Sequence, residues 1–264
     1  MKIAVTGKGG VGKTTLAATL ARMYADEGAH VLAADVDPDA NLGLALGFSD
    51  DELEDIVPIT QMRELIQERT GADDFNRIYK LNPKVDDIPD RFAKEKNGVK
   101  LLLLGTVDTA GRGCVCPEHV MLKRIISHLV LRSDDVVILD MEAGLEHLAR
   151  GTTSGMDQFI VVIEPGARSV QTYKNVKRLA NQLGITDVNV VANKVRDQKD
   201  EDFIRSKIPE ENLLGFIHYN PEIMDADRQG CSPYDYSKKL IDEVAIIKNR
   251  IDSIKKRKEN KTEV

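Results

Sequence analysis

"GKGGVGKTT", residues 7–15, fits two glycine motifs at once. Gly7, Gly9 and Gly12 match the dinucleotide pattern G-x-G-x-x-G, while the whole stretch matches G-x-x-x-x-G-K-[ST]. Lys13 and Thr14 decide between them. A dinucleotide pyrophosphate rests on a helix N-terminus and has no use for an ammonium and a hydroxyl there, whereas a nucleoside triphosphate with magnesium needs both. The stretch follows an apolar run, "KIAVT" (2–6), and precedes a helical pattern over 16–25, which is the strand–loop–helix setting of a phosphate loop. In this reading the backbone from Gly9 and Gly10 through Val11, Gly12, Lys13, Thr14 and Thr15 binds ATP or ADP. Its N–H groups from Gly10 to Thr14 cradle the β-phosphate, Lys13 neutralises the β and γ oxygens, and the Thr14 hydroxyl ligates Mg²⁺.

A loop of this kind predicts carboxylates at the ends of later strands. "DVDPDAN" (35–41) and "VVILDMEAG" (136–144) supply them. Asp140 suits a hold on Mg²⁺ through water, and Asp37 is the choice to orient the attacking water, because an Asp-Pro at a strand end points its carboxylate out of the sheet. Asp35 and Asp39 fit turn and cap chemistry.

Outward from the loop, continuous apolar runs recur at 30–36, 99–105, 136–140, 158–164, 188–194 and 213–219. Runs without alternation suit strands covered on both faces. With helical patterns at 120–131 and 170–183 between them, they predict an α/β fold: a doubly wound, mostly parallel sheet of about seven strands whose ligands sit at the strands' carboxyl ends. Residues 1–264 are expected to form a single domain. Residues 50–97 break the rhythm: they are acidic, contain Pro58, Pro83 and Pro89, and show one helical segment at 59–70, so they read as a helical insertion on the ligand side. A last helix over 237–256 carries an apolar stripe at helical spacing, followed by a basic tail expected to fray into disorder.

The formal charge of −6 gives no electrostatic footprint for nucleic acid. No run reaches membrane-spanning length and no secretory signal opens the chain, so a cytoplasmic protein without a membrane partner is expected. Three cysteines are too few for a disulfide framework. Cys114 and Cys116, in "GRGCVCPEH" (111–119), sit one residue apart in a glycine-rich turn, and a close pair of thiols in a reducing compartment points to metal or redox chemistry. Pro117 reads as the first residue of a helix with Cys116 as its N-cap, where the helix dipole lowers a thiol pKa. Cys231 reads as an ordinary half-buried thiol.

The early lysine, Lys8, makes "KGGVGKTT" resemble the deviant Walker A motif of the MinD, ParA and nitrogenase iron-protein class of ATPases. That resemblance implies that Lys8 reaches across a two-fold axis to the partner's nucleotide, so that ATP binding and homodimer formation are coupled. It also implies switch I at "DVDPDAN", switch II at "DMEAG", an Asn193 amide on the adenine edge, and a segment "YNPEIMDAD" (219–227), with Pro221, closing over the base.

Two thiolates fall short of the four ligands that a closed site for a soft divalent metal usually takes, but a two-fold axis doubles every residue and gives four sulfurs. "GRGCVCPEH" together with "DMEAGLEHLARGT" (140–152) resembles the CooC-type nickel-insertion ATPases that mature carbon monoxide dehydrogenase and acetyl-CoA synthase. The resemblance implies one Ni²⁺ held between two subunits by Cys114 and Cys116, delivery to the apo enzyme as client, and release driven by ATP hydrolysis. Thiolates favour Zn²⁺ as strongly, so zinc is an alternative occupant. Two other functions stay open. An iron–sulfur or redox ATPase of the nitrogenase iron-protein type would use the cysteines differently, and a positioning ATPase would leave them unexplained.

Overall fold

The computed structural model describes residues 1–72, 79–106, 117–132, 135–143, 148 and 155–262. Its centre is an eight-stranded sheet. The strands are β1 (Lys2–Gly7), β2 (Val31–Val36), β3 (Lys94–Lys96), β4 (Val99–Leu103), β5 (Val136–Glu142), β6 (Gln158–Ile163), β7 (Val188–Val195) and β8 (Leu213–His218), in the order β3-β4-β2-β5-β1-β6-β7-β8. All pairings are parallel except β3 with β4. Every residue of β1, β2 and β6 is buried, as helices on both faces require.

The two faces of each strand feed two cores. Ile3, Val5, Val31 and Ala33 face a layer formed by α1 (Lys13–Asp26) and α11 (Lys238–Thr262), through Leu16, Leu20, Tyr24, Val244, Ile247 and Ile251. Ala4, Leu32, Ala34 and Val36 face α6 (Pro117–Arg132), α7 (Ala167–Gln182) and α8 (Gln198–Lys207). Deleting one such fully buried side chain, for example Ile247→Ala, costs about 2–5 kcal/mol.

Two expectations are corrected here. The sheet has eight strands, because the charged triplet Lys94–Lys96 pairs antiparallel with β4 through a two-residue turn, Asn97 (φ 51) and Gly98 (φ 73). Asn-Gly with both residues in the left-handed region is a hairpin turn, and the strand that it adds carries no apolar run. The last helix also runs on to Thr262 rather than fraying after 256. Two of its lysines near that end have partners: Lys258 Nζ lies 2.9 Å from Asp187 and Lys255 Nζ 3.4 Å from Asp157.

After α2 (Leu42–Leu46), the described part of residues 50–97 contains three short helices, α3 (Asp50–Glu54), α4 (Arg63–Thr70) and α5 (Ile88–Phe92), besides a 3₁₀ turn at Ile59–Gln61. Ile59, Leu65, Ile66, Val85 and Ile88 are buried in the same cluster as α6, so this segment covers the helix that follows the paired cysteines. Cys114 and Cys116 themselves lie outside the described residues, as do residues 144–147 of "DMEAGLEHLARGT". Among the described residues no helix is long and apolar enough to cross a membrane.

Candidate functional site

β1 ends at Gly7 and α1 begins at Lys13, so the glycine loop joins the central strand to a helix N-terminus at the carboxyl edge of the sheet. Gly12 takes the N-cap position at φ 90 without a side-chain cap, and the first turn holds no acidic residue. The free N–H groups and the positive end of the helix dipole therefore point outward, which suits an anion. Gly12 is constrained twice. Its φ excludes most side chains, and a Cβ there would collide with Asn193 Nδ2.

Parallel register brings the acids to this loop. Asp35 and Asp140 are direct neighbours across β2 and β5, and β5 pairs with β1 on its other side. Thr14 donates its hydroxyl to Asp140 Oδ2 at 2.6 Å, and Lys13 Nζ pairs with Asp37 Oδ2 at 2.8 Å. Lys13, Thr14, Asp37 and Asp140 thus meet at one point. Asp39 donates its backbone N–H to Asp37 Oδ1. Asp35 accepts the N–H groups of Asp37 and Leu42, both at 3.0 Å, so it fixes the turn that presents Asp37.

The charges are strongly coupled. Burial pushes the Asp140 carboxyl up to about 6, against the Thr14 hydroxyl and the Lys13 charge. Burial, with the charge of Asp140 beside it, pushes Asp35 up to about 7. Burial also disfavours the Lys13 ammonium, yet its hydrogen bond to Asp37 and the charges of Asp140, Asp37 and Asp35 outweigh that and raise its pKa. Asp140 Oδ1 is buried and has no hydrogen-bond partner among the described residues. A buried, unsatisfied carboxylate oxygen beside a threonine hydroxyl is the donor chemistry that a hydrated Mg²⁺ uses.

A cavity of about 570 Å³ opens over the loop. Its floor is Gly9, Gly10 and Gly12–Thr15, one wall is Asp37, Pro38, Asp39 and Asn41, and the far wall is formed by Ile223, Met224, Asp227 and Cys231. That far wall belongs to α9 (Pro221–Arg228) and the turn into α10 (Pro233–Tyr236). It is tied down by Arg22 of α1, which makes a bidentate contact to Asp235 at 3.0 and 2.9 Å and lies 4.8 Å from the centroid of the Tyr234 ring. Ser232 adds a 2.6 Å bond to the Ala45 carbonyl.

Further residues take their places around the cavity, and one expectation, that of a half-buried Cys231, changes. Asn193 gives its amide to the Val11 carbonyl at 2.7 Å and accepts from Lys194 N, so it braces the loop. Pro221 is the exposed first residue of α9, and Ile223 and Met224 of the same segment line the cavity. Cys231 is exposed on the cavity wall, not half-buried. Lys8 is exposed at the start of the loop, where its carbonyl accepts Val11 N at 3.3 Å. Among the described residues no cluster of three or more His, Cys, Asp or Glu side chains is arranged to hold a metal. Arg22 and Lys194 were not visible as site residues, because each acts through a partner more than 180 positions away.

Residues 2–233 match the model of the CobQ/CobB/MinD/ParA nucleotide-binding domain. The chain is 47% identical over 238 residues, 90% of each protein, to the carbon monoxide dehydrogenase accessory protein CooC of Rhodospirillum rubrum. It is 43% identical over 260 residues to an uncharacterised ATP-binding protein of Methanocaldococcus jannaschii, covering 97% of this chain and 99% of that one. Among solved structures, the fold is similar to the MinC:MinD cell division complex of Aquifex aeolicus, with a TM-score of 0.67, 18% identity and 96% of both chains covered.

Proposed function

The chain belongs to the CobQ/CobB/MinD/ParA nucleotide-binding family, and from that premise we propose that it is an accessory ATPase of carbon monoxide dehydrogenase which carries nickel to that enzyme or to acetyl-CoA synthase. It is a P-loop ATPase. The observation that carries the proposed site is the meeting of Lys13, Thr14, Asp37 and Asp140 beneath the cavity.

Lys13 and Asp37 neutralise each other at 2.8 Å before nucleotide binds. The β and γ oxygens of ATP recruit the ammonium, and its departure frees the Asp37 carboxylate to orient the attacking water. The Thr14 hydroxyl, now given to Asp140 at 2.6 Å, is likewise available to a metal. Magnesium, when bound with the nucleotide, supplies neutralisation of the phosphate oxygens; the Thr14 hydroxyl would hold it directly and Asp140 through water. Asp35 keeps the Asp37 turn in place throughout. Asn193 and Gly12 keep the loop open, and Ile223 and Met224 offer the apolar surface for the base.

In a homodimer, Lys8 of each protomer reaches the nucleotide of the other, and the two Cys114–Cys116 pairs bring four thiolates to one nickel ion as cargo. Loss of the γ-phosphate contacts reopens the dimer and releases the metal. The accessory role rests on the similarity to the Rhodospirillum rubrum protein, and the metal site on the cysteine pair in the sequence.

The test is a nickel titration of reduced, metal-free protein with and without ADP or ATP, following thiolate-to-metal charge transfer together with mass. One nickel per dimer, lost in the double variant Cys114→Ser/Cys116→Ser while ATP binding persists, supports the reading. Absence of nickel binding, with a chromophore formed from iron and sulfide instead, transfers the assignment to a cluster carrier.

A further inference from the structure

Lys194 lies at the end of β7 and reaches back to the glycine loop. Its Nζ donates to the Gly10 carbonyl at 2.6 Å and lies 2.6 Å from Oε1 of Glu164, the residue that follows β6. Consecutive side chains of a regular strand point to opposite faces. Asn193 and Lys194 nevertheless grip neighbouring carbonyls of one loop, those of Val11 and Gly10. The reason is an irregularity in the ladder: Ala192 pairs with Phe216 and Val195 with His218, so three steps along β7 oppose two along β8. A bulge of this kind re-aims side chains. It holds Lys194 at φ 57, a conformation that L side chains rarely adopt, and Asn97 in the hairpin turn is the other non-glycine described residue that shares it.

The loop needs such a grip. Nothing lies within 4 Å of a Cβ placed on Gly9 or Gly10, so side-chain packing does not restrain this half of the loop, and the bond from Val11 N to the Lys8 carbonyl that ties the Gly10–Val11 peptide is a long one at 3.3 Å. Gly10, at φ 78, can rotate its following peptide at little steric cost. The rotated carbonyl would present its negative end to the phosphates, where an N–H is wanted.

We propose that Lys194 is a positioning residue of the ATPase site: its ammonium, anchored by Glu164, holds the Gly10 carbonyl away from the polyphosphate and keeps the early loop in its phosphate-binding form. The proposal rests on the nucleotide reading of the site. Asn193, deeper and uncharged, braces the next carbonyl and cannot replace it.

Lys194→Met, Lys194→Gly, Lys194→Arg and Glu164→Gln separate the possibilities. Glycine suits the left-handed backbone, so Lys194→Gly removes the ammonium without straining the fold. Because the Lys194 side chain is 46% exposed, loss of its ammonium should weaken ADP and ATP binding about 3- to 10-fold in both the Met and Gly variants. The KM for ATP rises by the same factor while kcat changes less, and Lys194→Arg recovers most of the affinity. Glu164→Gln, which keeps the lysine, weakens binding less than about 3-fold. The melting temperatures of the nucleotide-free Gly and Arg variants stay at the wild-type value.

A Lys194→Gly protein that binds ADP as tightly as a binding-competent wild type overturns the proposal alone. So does a loss of affinity that Arg fails to recover. A wild type that binds neither ADP nor ATP overturns the nucleotide reading, and the proposal with it.

Discussion

Replacing Asp140 by Asn is expected to stabilise the nucleotide-free protein while abolishing its response to magnesium nucleotide. Asp140 is fully buried at the end of β5, and burial raises its carboxyl from 3.8 to about 6. A carboxyl with a raised folded-state pKa keeps its proton in the fold after the unfolded chain has released it. Stability therefore falls as pH rises through the window from about 4 to 6, and the loss persists at neutral pH. A shift of about two units corresponds to about 3 kcal/mol. Asparagine is isosteric, stays uncharged, and keeps an oxygen for the Thr14 hydroxyl that now sits 2.6 Å from the carboxylate. At about pH 7.5 the variant should gain about 2–3 kcal/mol, or about 4–10 °C in melting temperature for a chain of this size.

The assay is thermal denaturation in chelator from about pH 4 to pH 8, repeated with magnesium and ADP. The two proteins should coincide near pH 4 and diverge above it. The variant's profile should be flatter than wild type but still fall, because Asp35, raised to about 7, titrates in both. Magnesium ADP should raise the melting temperature of the wild type only. A variant no more stable than wild type at neutral pH, or one with the same slope against pH, would refute the argument that Asp140 is an unfavourable buried charge in the nucleotide-free protein.

Gly12→Ala should abolish ADP binding in an equilibrium titration, since the new Cβ meets Asn193 Nδ2 and the residue must hold φ 90; the double variant with Asn193→Ala should recover little, because the backbone constraint remains. Arg22→Ala removes the bidentate contact to Asp235 and the stacking on Tyr234, and should lower stability to urea by about 1–3 kcal/mol and weaken nucleotide binding through the loosened cavity wall. Unchanged urea midpoint and affinity would remove Arg22 from the site. Asp37→Ala should bind ATP at least as tightly as wild type, because Lys13 no longer has to leave a carboxylate, and should hydrolyse it more than about 100-fold more slowly, accumulating as an ATP-bound dimer in gel filtration. Hydrolysis at the normal rate would sink the water-orienting role of Asp37.

The sequence by itself determined the local parts of this protein. A phosphate loop is a contiguous motif whose chemistry is carried by backbone N–H groups and two adjacent side chains, so Gly7 through Thr15 could be read without a fold. Buried parallel strands announce themselves through unbroken apolar runs, and Asp37 and Asp140 follow from lying at the ends of two of them. Features that depend on pairing were hidden. β3 is a charged triplet made a strand by its Asn-Gly turn and by β4 beside it, and the tail of α11 is ordered by acids at positions 157 and 187. Tertiary structure alone decided that Asp35 lies against Asp140, since strand register sets that neighbour. It also decided that Asn193 and Lys194 hold the loop, since a one-residue bulge in β7 turns both side chains toward it. Composition and periodicity report what a residue prefers around itself. Which distant carbonyl or carboxylate it meets is fixed only when the strands have chosen their order and register.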